Sequence, residues 1–347
     1  MNKMKTLLRL IPGILLFLAF NSTAQKRVAL HSNGVTTIFS STNPYIDAYN
    51  ASIAGDTIYL SGGTFNSPSN IDKGITVFGA GFHVDSTTAT FQTIIATTFS
   101  IGENADGLRL EGLKFESAVT VGNNYSFNNA HISRCYFNGS FNTSGSNVNL
   151  TEYLVVSECV FTSALNVQNI ENSLFTNNIF ESQISYSTNN SFRNNVFLME
   201  GGNSGFALGK VIYYSSNNVF EDNVFYNSLI YVIDGFGNTF QRNLFSVSIP
   251  QLGSTPITVD NYYGVPEASI FVNQAGFTWL NTNDNYLQDP VTYFGTDGNE
   301  VGIYGGLFPF KSGVVPQNPH FISKTIAPST DSNGDLNIQI QVGAQDE

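Results

Sequence analysis

Four charged side chains are the first candidates for chemistry: Arg193, Glu221, Asp222 and Arg242. They sit in recurring hexapeptides, FRNNVF from Phe192, FEDNVF from Phe220 and FQRNLF from Phe240; FTNNIF from Phe175 is an uncharged relative. If the hexapeptides stack in register, Arg193 shares a column with Glu221, and Asp222 with Arg242. Arg134 and Glu158 make a third such pair. Opposite charges one stacking step apart avoid like-charge repulsion, and an exposed pair is worth about 0–1 kcal/mol. The functional alternative is a polar strip, centred on Arg193, Glu221, Asp222 and Arg242, that contacts a sugar chain.

Other reactive groups are sparse. His31, His83, His131 and His320 lie far apart and show no metal-ligand spacing, so no metal or cofactor is expected. Cys135 and Cys159 are too few for a disulfide scaffold. In-register Cβ vectors suit a disulfide poorly, although the Cα separation would allow one; two buried thiols are expected. DSNGD (331–335) places Gly334 too early for an EF-hand-like loop, and GTDGNE (295–300) reads as a turn before it reads as a cation site. Tyr213-Tyr214 and Tyr262-Tyr263 could stack on sugars, against the commoner fate of packing half-buried under a loop.

Composition narrows the class. Charged residues make up 12% of the 347, against about 25% in ordinary domains. Aromatics reach 13%, which excludes a disordered chain and suits an exported all-β protein. MNKMKTLLRL, the apolar run Ile14–Phe20 and Ser22-Thr23-Ala24 form a secretory signal pattern with cleavage near Ala24. The run is too short to span a membrane. Without Lys3, Lys5 and Arg9, 11 of the 14 basic residues remain against 26 acidic ones, a net charge of −15. Such a surface repels nucleic acid and anionic lipid. A secreted monomer is expected, extracellular, at the cell surface or in the periplasm.

The elements that would position these groups emerge from the repeat. Aligned on the last Phe of each hexapeptide, a column runs Phe65, Phe82, Phe99, Phe115, Phe137, Phe161, Phe180, Phe197, Phe225, Phe245. The residue five places earlier is apolar every time, from Leu60 to Phe240. Two residues five apart cannot both face inward from one flat strand, so a turn must separate them. Asn178, Asn195, Asn223 and Asn243 fit that turn, because Asn tolerates left-handed backbone and its amide can both donate and accept between coils. The pattern predicts a solenoid of about eleven coils stacked about 4.8 Å apart. The largest looped-out excess is MEGGNSGFALGKVIYY (199–214).

Three stretches resemble the right-handed parallel β-helix of the pectin-lyase-like superfamily. NPYIDAYNASIAGDTIYLSGGTF (43–65) resembles its entry, a capping helix opened by Pro44 and then the first strand. ITVFGAG (75–81) resembles the second coil. DNYLQDPVTYFGTDGNEVGIYGG (284–306) resembles the closing coil of secreted bacterial β-helix proteins, but has Asn285-Tyr286-Leu287 where those carry Tyr-His-Leu. The likeness covers about residues 43–310. It implies one domain over 25–347: an N-cap at about 28–54, coils at about 55–310, and LNIQIQV (336–342) as a strand over the C-terminal end.

The resemblance also says what catalysis would need. Lyases of this kind use a basic residue with calcium or cationic side chains, and hydrolases use two carboxylates about 5–9.5 Å apart. No Asp-Asp pair with a downstream Gly-His-Gly and no Arg-x-Pro-x-x-Arg stretch occurs. The expectation is a secreted or cell-surface protein that contacts polysaccharide without catalysis. The alternatives are a polysaccharide lyase or glycoside hydrolase with an atypical site, and a structural or adhesin module.

Overall fold

The computed structural model describes residues 26–143, 149–199, 210–227, 231–307, 309–311 and 313–344. The expected leader at 1–24 and most of the expected insertion at 199–214 lie outside the described residues.

Very short strands stack into three long sheets of twelve, nine and six strands. From Thr57–Leu60 onward the twelve-stranded sheet, here called sheet A, is parallel and in register, and its inward column runs Ile58, Val77, Leu110, Ile132, Val156, Phe175, Phe192, Phe220, Phe240. Sheet B, of nine strands, carries Phe65, Ile95, Phe115, Phe137, Phe161, Phe180, Phe197, Phe225, Phe245. Sheet C has six strands, from Phe99–Ile101 to Ile212–Tyr213. The fold is a parallel β-solenoid of about nine coils.

The expected eleven coils included two false rungs. Ile95, not Phe82 or Phe99, lies between Phe65 and Phe115 in sheet B. Residues 79–92 loop out of the coil, so spacings of 17 on either side of Phe82 were coincidental. Phe99 belongs to sheet C, opposite Val119. Phe82 leaves the main core and packs on Tyr136 and Trp279.

Inside the solenoid the rings stack coil on coil. Phe197 and Phe225 are 4.6 Å apart at 6°, and Phe192 and Phe220 are 5.0 Å apart at 12°. Offset stacking of this kind adds about 0.5–1.5 kcal/mol per pair beyond burial. Between the two Phe columns lies the expected turn, with one correction. The left-handed residue is the one before the ladder Asn: Asn177, Asn194, Asp222 and Arg242 have φ of 55°, 52°, 59° and 51°.

That leaves the ladder Asn fully buried and free to bond along the axis. Asn195 Nδ2 donates back to the Phe175 carbonyl at 2.9 Å and forward to Asn223 Oδ1 at 3.0 Å; its backbone N–H reaches the same oxygen at 2.8 Å. The pattern repeats from Asn178 through Asn243 and ends on Asn261. Cys159 and Cys135 extend the column as free buried thiols. The Cys159 N–H donates to Asn178 Oδ1, and the Cys135 N–H to Cys159 Sγ at 3.4 Å. A second ladder, Asn190–Asn218–Asn238, stands at the entry to sheet A.

One end matches the expectation and the other departs from it. The helix Pro44–Ala51 buries Tyr45, Ala48 and Tyr49 against the first strands, as the Pro44 start implied. At the other end, Asp284–Leu287 does not close a coil. It pairs antiparallel with Phe271–Asn273. The chain then covers the outward face of sheet B, where Val160, Ile179, Val196, Val224 and Leu244 join Ile270, Phe271, Leu287, Val301 and Ile303 in a second core. Those outward positions are aliphatic, so they need a cover. Ile338–Gly343 forms a hairpin with His320–Ile326. The hairpin does not cap the C-terminal end, because residues 316–324 share a groove with Val28 and Tyr59 of the first coils.

Candidate functional site

The returning segment, about residues 293–317, explains the charged strip. It runs along the corner between sheets A and B and docks on the left-handed column. Asp222 accepts the Thr296 N–H at 2.9 Å, and the Thr296 hydroxyl lies 2.7 Å from both Asp222 and Glu221 and shares its one proton between them. Asn177 Nδ2 donates to the carbonyls of Ile303 and Gly305, both at 2.9 Å. Glu158 accepts from Lys311 N–H, Arg134 donates to the Val315 carbonyl, and Glu111 accepts from Gln317 N–H. At Gly112, φ 70°, an added Cβ would lie 2.4 Å from Pro316 Cγ, so the strap needs glycine there.

Of the four candidates, Glu221 and Asp222 are brought together at Thr296. Burial pushes the Asp222 carboxyl up, and its bonds to Thr296 oppose the rise. Arg193 meets Glu221 at 3.2 Å with its side chain 52% exposed. Arg242 does not pair with Asp222, although the two are adjacent in register. It turns to Asp260 at 3.6 Å and lies 4.6 Å over the Phe294 ring. Arg134 lies between two acids, Glu158 at 3.1 Å and Glu111 at 3.6 Å, all three buried. Most of the strip is thus scaffold that holds the strap, and Arg193 is its open member.

Sheet C offers a different surface. Its outward column is Ser100, Thr120, Asn142, Asn166, Ser185 and Tyr213, one residue per coil and none charged. Tyr186 and Tyr214 stand just past its C-terminal strands, stacked at 5.8 Å and 25°, 41% and 54% exposed. Tyr213 packs on Tyr214 at 4.0 Å, and the neighbouring Tyr214 phenol pushes its hydroxyl up. Tyr186 has φ 60° and Tyr214 φ 44°. Left-handed backbone costs an ordinary L-residue about 1–2 kcal/mol. The next coil places Gly235, also at positive φ, opposite Tyr214. Two bulky rings therefore occupy positions unfavourable to them, with their faces partly open to solvent.

Tyr213-Tyr214 was anticipated from sequence; Tyr186 was missed. It precedes Tyr214 by 28 residues, the same offset as Phe197 to Phe225, and that offset was the available signal. The other anticipated pair serves packing. Tyr262 donates its hydroxyl to the Phe294 carbonyl, and Tyr263 stacks on Phe245 at the end of the Phe ladder.

A cleft of about 420 Å³ opens beside sheet B, walled by Phe82, Tyr136 and Trp279 with Lys114 at its edge. Nearby runs an outward column Glu116, Asn138, Thr162, Glu181. Lys114 pairs with Glu116 at 2.7 Å and pulls its carboxyl down, and Asn138 also donates to Glu116. Glu181 accepts the Trp279 N–H at 2.6 Å, and burial pushes it up to about 7. Three coils separate the two acids, about 14 Å along the axis. Each is committed to its own partner, so they do not face each other as a hydrolytic pair would.

Among the described residues no three His, Cys, Asp or Glu side chains gather as a metal site. Asp331 accepts the N–H groups of Asn333 and Asp335, which makes DSNGD a turn. Asp297 accepts from Asn299 within GTDGNE in the same way. No helix is long and apolar enough to cross a membrane among the described residues. No protein-family model matches the chain, and neither the curated proteins nor the solved structures yield a match.

Proposed function

We propose that this protein is an exported, non-catalytic β-helix protein of the pectin-lyase-like kind that contacts neutral carbohydrate through sheet C. The observation that carries the reading is the Tyr186–Tyr214 shelf: exposed stacked rings kept in left-handed backbone. Local strain of this kind persists where the surroundings over-determine it and clusters at ligand sites. Aromatic faces suit the apolar faces of sugar rings, and the Ser, Thr and Asn column beside the shelf supplies hydroxyl and amide partners. The column advances about 4.8 Å per coil, a spacing on which successive residues of an extended glycan can be met. The six-strand column carries no charge, and Asp234 of the next coil is paired with Lys210 at 2.7 Å, which favours neutral over acidic glycans. Export rests on the N-terminal leader pattern.

A second reading, an atypical lyase or hydrolase, draws on Glu181, a carboxyl kept near neutrality beside an aromatic cleft. One assay separates the two. Purified protein is run through gels containing neutral or acidic polysaccharides, and the same mixtures are checked for new reducing or unsaturated ends. Retardation without product supports the binding reading. Product lost in Glu181→Gln would replace it with the enzyme, and retention on no glycan would leave a structural or adhesin module.

A further inference from the structure

Away from sheet C, a groove of about 760 Å³ lies between the first coils and the C-terminal hairpin, within the size range of ligand sites. Its walls are apolar: Ile38, Tyr59, Phe78 and Phe91 on the solenoid side and Phe321 on the hairpin. Tyr59 and Phe78 stack at 5.5 Å and 21° as a flat wall. Phe91 is 67% exposed and has φ 68°. A bulky residue at positive φ is an outlier, and one that also leaves its ring in solvent does nothing for the core.

Charge sets this groove apart. The chain carries 26 acidic residues against 14 basic ones, yet among the described residues no Asp or Glu lines the groove, while Arg27, His320 and Lys324 do. Among the described residues Lys324 forms no ion pair. Exposed rings beside cations, with carboxylates kept out, complement a molecule that is apolar along its body and negative at one end.

We propose that this groove binds an amphipathic monoanion, a carboxylate on an acyl or aromatic body, its apolar part against Phe91, Tyr59 and Phe321 and its carboxylate at Lys324 and Arg27. Binding here is independent of glycan contact on sheet C, so either can fail without the other. The test is calorimetric titration of the full chain with dodecanoate below its micellar concentration. Dodecyltrimethylammonium serves as the probe of equal tail and opposite charge.

One dodecanoate should bind per chain, and the cationic probe at least about tenfold more weakly, the weight of one charge-assisted contact. Lys324→Glu should cost dodecanoate a similar factor. Phe91→Gly should weaken binding without lowering the unfolding temperature, because glycine suits the backbone there. Equal affinity for both probes, no binding, or full binding by Lys324→Glu would overturn the proposal. Sedimentation velocity covers the remaining occupant: a dimer lost in Phe321→Ser and unaffected by dodecanoate would make the groove a contact between copies, and would also overturn it.

Discussion

Asp222 and Thr296 are 74 residues apart in sequence and make two hydrogen bonds, at 2.9 and 2.7 Å. The contact fixes the strap just after Phe294 has passed under Arg242, and the Gly302 N–H adds a bond to the Asp222 carbonyl at 2.8 Å. Asp222→Ala removes the acceptor of the Thr296 N–H, at an exposed residue whose hydroxyl keeps Glu221, and should cost about 0.5–1.5 kcal/mol in urea unfolding. Hydrogen exchange should speed up over residues 293–306 first, with glycan retention unchanged. Loss of glycan binding in this variant, with the strap still protected, would return Asp222 to the list of ligand contacts.

The Asn ladder should fail from its middle. Asn223→Ala strips partners from the Asn195 N–H and side chain, the Phe192 carbonyl and Asn243. Several orphaned buried groups at about 1–3 kcal/mol each predict a loss of about 3 kcal/mol or more. Asn261→Ala, at the half-buried end of the ladder, should cost clearly less. Equal losses at the two positions, read from urea midpoints, would mean the ladder is not cooperative.

Stability should fall as pH rises through neutrality. Burial lifts Glu181 from an ordinary 4.5 to about 7, and Glu111, Asp222 and Glu300 also move upward because of burial. A carboxyl raised in the folded state favours the protonated form there. Its contribution is fully present below about pH 4.5 and is lost as pH climbs through about 7. Glu116 is lowered by Lys114 and works in the opposite sense, at more acidic pH. Melting temperatures measured between pH 5 and pH 8 should therefore decline, and Glu181→Gln should flatten the curve. A slope identical to wild type would show that Glu181 is not buried in this way.

The repeat made the solenoid legible, because stacking in register forces inward positions into columns. Phe175, Phe192, Phe220 and Phe240 recur at one place in the hexapeptides, and so does the Asn three residues after each. The motif pointed to Asn178, Asn195, Asn223 and Asn243 as the left-handed residues, and the structure moves that role one residue earlier, onto positions of no fixed type. Phe82 was misread because an inserted loop can mimic the repeat spacing. The strap was not legible at all. Its bonds, such as Glu111 to Gln317 across 206 residues, follow no period and depend on which corner the returning chain meets. For the same reason Arg193, Glu221, Asp222 and Arg242 looked like a surface strip when three of them are strap contacts. The tyrosine shelf was half legible, since Tyr214 stood out in a pair while Tyr186 stood alone.

The central claim is that Tyr186 and Tyr214 form a sugar-contacting shelf whose backbone strain is retained for binding. The most direct measurement compares wild type with Tyr186→Asn/Tyr214→Asn in affinity electrophoresis on neutral polysaccharides, with thermal unfolding alongside. Asn is the side chain that tolerates this backbone best after glycine. A neutral glycan should retard wild type, and the double variant should lose at least about tenfold in affinity from two lost aromatic contacts while unfolding at or above the wild-type temperature. Undiminished retardation of the double variant, or an absence of retardation of wild type on every glycan, would contradict it.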